Sequence, residues 1–316
     1  MNILNYKIFT KLDTAFVLVA LLGSSFAHFR HRQCCRGNDA RHPQGQITLE
    51  VVDVKLFKLW LLAFFIAACI PSVARSVERI EAWSYYSTPP FQTDAKGTAG
   101  LSIDFVDYLN QQLKGKYEIR LVALPRARLN LLLRGDDRAF VIFAPSFVFG
   151  GLTGNLYLWS SAIFDDRQEL VSRKDHPFQL NGAASLTGKR LVGMQGHVFP
   201  AIAKEVASGQ IKMGRVNSEE SLVKMLLKGH ADVITIPHSA AEYFATKMPE
   251  FRQKMLLSDE SLGSFSRHLM FPNTMARERD DFEDVVRKMR TDDKWLAVLK
   301  KYGLTPSAIP LARNTK

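Results

Sequence analysis

The chain has 316 residues, 47% of them hydrophobic, and a formal net charge of +11. Such a composition supports one large core or two smaller ones and excludes a disordered or fibrous chain. Residues 1–74 hold eight Lys and Arg against four Asp and Glu, so the remainder keeps +7 on scattered positions with no DNA- or RNA-binding motif, and nucleic acid is not an expected partner.

The three cysteines, Cys34, Cys35 and Cys69, all precede residue 75, so the body of the chain cannot form a disulfide. Residues 54–74 have the layout of an export signal: Lys55 and Lys58, an apolar run from Leu59 to Ile70, then Pro71-Ser72-Val73-Ala74. The run is too short for a comfortable permanent membrane span. Cleavage after Ala74 gives a free exported protein. Ile66-Ala67-Ala68-Cys69 offers a rival, lipidation of Cys69, and a buried helix of the mature domain is a third reading. Residues 1–53 are expected to be an over-long start assignment or an unstructured leader. His28, His31, Cys34, Cys35 and His42 fit no standard zinc spacing, so no metal site is expected.

Beyond residue 75 the pattern alternates. Arg79 to Tyr86 predicts a strand, broken by Ser87-Thr88-Pro89-Pro90-Phe91. Phe105, Leu109 and Leu113, with Val106, predict a helix over 102–114. Tyr117 to Leu124 is the next strand, Pro125 to Gly135 a helix, and Ala139 to Ala144 a buried strand. This order implies an α/β fold with a parallel, doubly wound sheet. Trp159 to Phe164 and Glu169 to Arg173 lead out, and the polar stretch Lys174 to Leu186 is the expected crossing. A second alternation follows, with strands at 190–194, 211–216 and 232–236 and helices near 197–208, 219–229 and 239–247. Asn217 and Glu220 are the expected capping pair of the helix whose buried face carries Leu222, Met225 and Leu226. Lys254 to Leu257 and Arg267 to Phe271 return the chain as strands, and one amphipathic tail, 275–302, ends at Gly303.

Several phrases occur in a telling order. They are Gly100-Leu101-Ser102-Ile103-Asp104, Trp159-Ser160-Ser161-Ala162-Ile163-Phe164, Leu186 to Gly196, Lys228-Gly229-His230-Ala231-Asp232-Val233, and Met289 through Asp292-Asp293 to Lys301-Tyr302-Gly303-Leu304. Together they resemble the bacterial extracellular solute-binding proteins of family 3, the periplasmic receptors of polar amino-acid ABC transporters and their relatives. The resemblance covers 79–304. It implies a two-lobed periplasmic-binding-protein type II fold with a two-strand hinge: lobe 1 from 75–174 plus 263–316, lobe 2 from 175–262. It further implies a ligand in the interlobe cleft, no cofactor, a monomer, and an ABC permease at the inner membrane as partner.

This sequence departs from the family in its amino-acid clamp. The arginine expected in a Thr-x-x-Arg phrase is missing, since Thr153 stands six residues before Trp159 and no arginine lies between Ser146 and Ser161. The aspartate expected after the strand at 232–236 is replaced by Pro237 and His238. A free amino acid is therefore a less natural ligand than another small polar or anionic solute, which the basic charge would also attract.

The candidate ligand-binding residues follow from these expectations. Tyr85, Tyr86 and Phe91 bracket the first strand's end as an aromatic lid, or pack in the lobe core. Arg126 and Arg128 can replace the missing clamp, the Pro125-x-x-Arg128 phrase resembling a less characterised branch of the family, or they are solvated helix arginines. Ser146 offers a hydroxyl or is a simple turn residue. Gly196, His197 and Val198 would open a helix whose backbone N–H groups bind an anion. His238 faces the cleft or the surface, and Trp159 belongs to the lobe core. With no nucleophile elbow, no HExxH and no paired carboxylates, catalysis is not expected. Glu242 is the nearest acid for the alternative of a periplasmic enzyme resembling cyclohexadienyl dehydratases. A stand-alone signalling receptor is the other alternative.

Overall fold

The computed structural model describes residues 76–135 and 138–305. The expectations for a leader over 1–53, a signal over 54–74, lipidation of Cys69, and the cluster of His28, His31, Cys34, Cys35 and His42 lie outside the described residues. Among the described residues, no helix is long and apolar enough to cross a membrane.

In chain order the first half gives β1 (Glu78–Ser84), α1 (Leu101–Gln112), β2 (Tyr117–Ala123), α2 (Arg126–Leu132), β3 (Ala139–Pro145), β4 (Tyr157–Trp159) and β5 (Phe164–Arg173). The second half gives β6 (Leu191–Met194), α3 (Ala203–Ala207), β7 (Met213–Val216), α4 (Glu219–Leu227), β8 (Val233–Pro237), α5 (His238–Lys247), α6 (Pro249–Lys254) and β9 (Met255–Leu257). The chain then returns through β10 (Ser264–Pro272), α7 (Ala276–Met289) and α8 (Asp293–Lys301).

The strands run in the order β2-β1-β3-β10-β5-β8-β6-β7, with β4 beside β10 and β9 beside β5. Within each half the neighbours are parallel: β1 with β2 and β3, and β6 with β7 and β8. Parallel pairing needs a crossover, and the intervening helices supply it. Helix α1 shows the cause at residue level. Leu101, Phe105, Val106 and Leu109 form one buried face, every three or four residues, against the first half's core. Trp295 of α8 and Phe282 of α7 join that core, so the last helices complete the first lobe. In the second lobe Leu222, Val223 and Leu226 of α4 pack with Ile234, Ile236 and Phe244.

The lobes meet on β5 and β10. Phe164 to Arg167 of β5 pair antiparallel with Arg267 to Ser264 of β10, while Gln168 to Ser172 pair with Pro237 to Val233 of β8. One ten-residue strand thus belongs to both sheets. The polar stretch 174–186, expected to carry the crossing, instead packs in the second lobe, where Phe178 and Leu186 are buried. The crossing falls earlier because the polar residues Asp165 to Glu169 find partners and can be strand.

Three further expectations are corrected. The helix expected near 197–208 does not start at 197: a single 3-10 turn, Pro200–Ile202, precedes the five-residue α3. Phe199 is extended, as the ring of a following proline requires, and Pro200 takes the first helical position. Helix α4 is capped one residue later than expected: Ser218, not Asn217, accepts the Ser221 N–H. The tail is two helices rather than one, because Asp292 caps α8 by accepting the Lys294 N–H.

Candidate functional site

The junction is built first from aromatic rings. Carbonyls of Pro90 and Phe91 accept the N–H groups of Leu101 (2.8 Å) and Ser102 (3.1 Å) at the start of α1. A side chain at Gly100 would strike the Phe91 carbonyl, so glycine permits this close approach. Held there, Phe91 stacks on Tyr86 (centroids 4.3 Å apart), and Tyr86 stacks on Tyr85 at the same spacing. The two phenol oxygens lie 2.8 Å apart, and Tyr86 donates to the Phe143 carbonyl at 3.0 Å. Burial pushes both tyrosines above their ordinary pKa, so the rings are neutral.

Phe143, at the exit of β3, has a positive φ of 56°. That conformation is unfavourable for an aromatic residue, by about 1–3 kcal/mol, and is kept only where surrounding contacts over-determine it. Here the carbonyl it turns inward serves Tyr86 and also Arg267 Nη1 at 3.4 Å.

Arg267 is the centre of the junction. It is 2% exposed on β10, and two of its nitrogens donate to Asp166 Oδ2 of β5, at 2.8 and 2.6 Å. Nη1 donates to the Tyr86 hydroxyl at 2.8 Å. Its guanidinium carbon lies 4.6 Å from the Phe91 ring centre and 5.1 Å from those of Tyr86 and Phe265. Asp166 is fully buried and also accepts the N–H and hydroxyl of Ser239, at 3.1 and 2.7 Å, from the first turn of α5. A single ion pair therefore ties Tyr86, just past β1, and β3 of one lobe to α5 of the other.

A second network lies three residues along β5. Glu169 Oε1, fully buried, accepts Arg167 Nε at 2.6 Å and pairs with His238 Nδ1 at 2.6 Å. His238 Nε2 stands 3.7 Å from Glu242. Burial alone would lower the His238 pKa, but the bond to Glu169 and the nearby carboxylates outweigh it and leave the imidazole above its ordinary value. Glu169 Oε2 has no hydrogen-bond partner.

Glu219, the first residue of α4, is the third element. It is 4% exposed, and its Oε2 is buried without a partner. Burial pushes its carboxyl up to about 8, although the Thr88 hydroxyl and the Arg267 charge pull the other way. Thr88 lies in the turn before Phe91, so groups of both lobes enclose this acid.

The sequence-predicted residues divide accordingly. Tyr85, Tyr86 and Phe91 come together at the junction, and His238 joins it through Glu169. Arg126 lies over the rings of Phe149 (4.3 Å) and Tyr85 (5.1 Å), with its Nε bonded to Asn130 at 2.9 Å, so it stands as a cover on the tyrosine pair rather than an open clamp. Arg128 is exposed on α2. The Ser146 carbonyl accepts the Gly151 N–H at 2.8 Å, closing a turn. Gly196, His197 and Val198 form an exposed turn rather than a helix start, and the His197 N–H is bonded to the Met194 carbonyl at 3.3 Å. Desolvation, then the charges of Arg267 and Arg215, lowers the His197 pKa below its ordinary value. Trp159 packs in a first-lobe cluster with Trp83 and Met270.

Sequence reasoning missed Arg267, Asp166, Glu169, Ser239 and Glu219. The available signal was Asp165-Asp166-Arg167-Gln168-Glu169, five polar residues in succession inside what proves to be a strand. No three His, Cys, Asp or Glu side chains among the described residues are grouped to hold a metal ion.

No family model and no curated protein matches the chain. Solved structures do match. The chain is similar to a mutant of the arginine-binding protein ArgBP from T. maritima, with a TM-score of 0.55 and 20% identity over 71% of this chain and 94% of that one. It is similar to the GluR0 ligand-binding core from Nostoc punctiforme in complex with L-glutamate, with a TM-score of 0.55 and 16% identity over 71% and 98% of the two chains. An ancestral cationic amino acid solute-binding protein aligns with a TM-score of 0.56 and 15% identity over 71% and 95%. These likenesses establish the architecture as the two-lobed, type 2 periplasmic-binding fold, in agreement with the sequence reading.

Proposed function

We propose that this chain is an exported solute-binding protein that captures a small polar molecule between its lobes by hinge closure and delivers it to an ABC-type permease. The observation that carries this reading is the two-strand junction. Tyr86 of one lobe and Ser239 of the other both bond to the Arg267–Asp166 pair on the crossing strands. A change of lobe angle must remake those bonds, so the junction can distinguish an open from a closed state. The ligands bound in two structural neighbours, arginine and L-glutamate, are small polar solutes and support cargo of that kind.

The anionic half of the sequence expectation has less support. It rested on the basic charge, on Arg126 and Arg128, and on a helix start at Gly196 to Val198; Arg126 is laid on two rings, and those three residues form a turn in which the His197 N–H is bonded to the Met194 carbonyl. Export rests on residues 54–74, with a free periplasmic form after cleavage at Ala74 or a lipid anchor at Cys69. The working unit is a monomer whose chain passes from lobe 1 to lobe 2 within β5, near Gln168 rather than at 174, and returns to lobe 1 near 263.

One observation favours an enzyme as the second reading: His238 lies between Glu169 and Glu242, the arrangement of a group that could exchange a proton. Its Nδ1 is already bound to Glu169, which fits a structural role better. A stand-alone receptor would use the same closure.

A thermal-shift screen combined with small-angle scattering tests solute capture. A ligand at a thousand times its dissociation constant adds about 4 kcal/mol and raises the melting temperature by several degrees, and closure shrinks the radius of gyration. A folded sample that shows neither change with amines, amino acids, dicarboxylates, aromatic acids and short peptides would rule out this reading. Turnover of an added substrate, lost in His238→Gln, would favour the enzyme.

A further inference from the structure

Glu219 is a buried acid with an unmet partner. It lies at the head of the nine-residue helix α4, where the backbone N–H groups favour its ionised form. Its Oε2 nevertheless has no donor. The cation whose charge acts on it does not serve it: the Arg267 nitrogens are directed to Asp166, Tyr86 and the Phe143 carbonyl. The other charges acting on it are Asp166 and its own neighbour Glu220, and both oppose ionisation. A buried carboxyl that has the Thr88 hydroxyl beside it but one oxygen without a donor is disfavoured in its ionised form unless a bound group completes it.

The balance of charge at the junction points the same way. Asp166 is matched by Arg267, and Glu169 by Arg167 and His238. Glu219 is left over, and the second oxygen of Glu169 is also buried without a donor. The arginines nearby present no open fork to a carboxylate. Arg126 is laid on two rings and bonded to Asn130, and Arg215 donates to the carbonyls of Met194 and His197 at 3.2 and 2.8 Å. The rings of Tyr86 and Phe91 already accept a guanidinium, that of Arg267, over their faces.

We propose that the captured solute is an organic cation, an amine or guanidine, whose charged nitrogen is received by the Glu219 carboxylate, and that a ligand carboxylate is not required. This rests on the solute-capture reading above and narrows it. The cation supplies the donor that Oε2 lacks, and lobe closure then encloses a neutral pair rather than a lone acid.

The test is calorimetric titration of the full chain with agmatine, which carries a guanidinium and an amine and no carboxylate, beside putrescine, L-arginine and succinate. Agmatine or putrescine is expected to bind at least as tightly as L-arginine. Glu219→Gln should weaken that binding about a hundredfold, as loss of a charge-assisted bond does. Glu220→Gln, an exposed neighbour, should leave it within a few-fold. The melting temperature of unliganded Glu219→Gln is expected to equal or exceed that of the parent, which separates lost recognition from lost folding. Undiminished cation binding by Glu219→Gln overturns the proposal, as does binding of succinate instead, and solute capture survives both results. Binding of L-arginine without agmatine or putrescine restores a carboxylate requirement and likewise overturns it. Silence from all four probes and from the wider screen overturns the capture reading together with this one.

Discussion

Arg267 and Asp166 are both removed from water, and such a pair is stable only while each side keeps its partners. Arg267→Met should destabilise the protein by about 3–5 kcal/mol, because Asp166 would remain buried with a charge matched only by neutral donors. Urea unfolding checks this, and a loss below about 1 kcal/mol would show that the pair is solvated. His238 makes a pH prediction. Its pKa is raised in the folded state, so its stabilisation is complete below about 6.5 and is lost as the pH rises through the folded value. Glu219, an acid whose pKa is also raised, adds to the decline towards about 8, so the two must be separated by mutation. The stability of His238→Gln should fall less over that range than the parent's, and parallel pH curves would contradict the assignment. At this scale the sequence was partly legible. The aromatic trio stands out because Tyr85, Tyr86 and Phe91 flank a prolyl turn, whereas Arg267 is one charge in an otherwise apolar strand. Its role depends on Asp166, a hundred residues earlier in the chain, and no local pattern encodes that pairing.

Among the elements, helices and parallel strands were legible where apolar spacing was regular, as in α1 and α4. The turn 195–202 was not. The phrase Gln195-Gly196 suggested an immediate helix, but the constraint that Pro200 imposes on Phe199 outweighed it. The crossing was misplaced for a related reason. A run such as Asp165 to Glu169 reads as a loop by composition, and becomes strand only because β8, β10 and α5 satisfy its polar groups. Helix α4 offers the clearest element-scale test. Ser218 caps it, and its hydroxyl lies 2.7 Å from that of Ser221. Ser218→Ala should cost about 1 kcal/mol in chemical denaturation, whereas Asn217→Ala should be nearly neutral. The reverse ranking would move the cap back to the residue first expected.

The whole molecule follows from two βαβ alternations, each able to bury one apolar face, joined where the strand pattern turns polar. The alternation was readable from the sequence, and the resemblance supplied the two lobes. Pairwise contacts across the joint came only with the three-dimensional structure. The joint also has a temporal meaning. His268 of β10 pairs with Ala144 of β3, and Trp295 and Phe282 fill the core begun by α1. The first lobe therefore cannot close its sheet until more than a hundred intervening residues have been made, and such long-range pairing is slow. Until β10 arrives, the edge of β3 on that side has no partner. A chain synthesised from its N-terminus thus stays unfinished in its leading half until nearly all of it has emerged. That delay exposes one growing strand edge to aggregation in the meantime, and under the export proposed above it would suit a polypeptide threaded unfolded through a translocation pore.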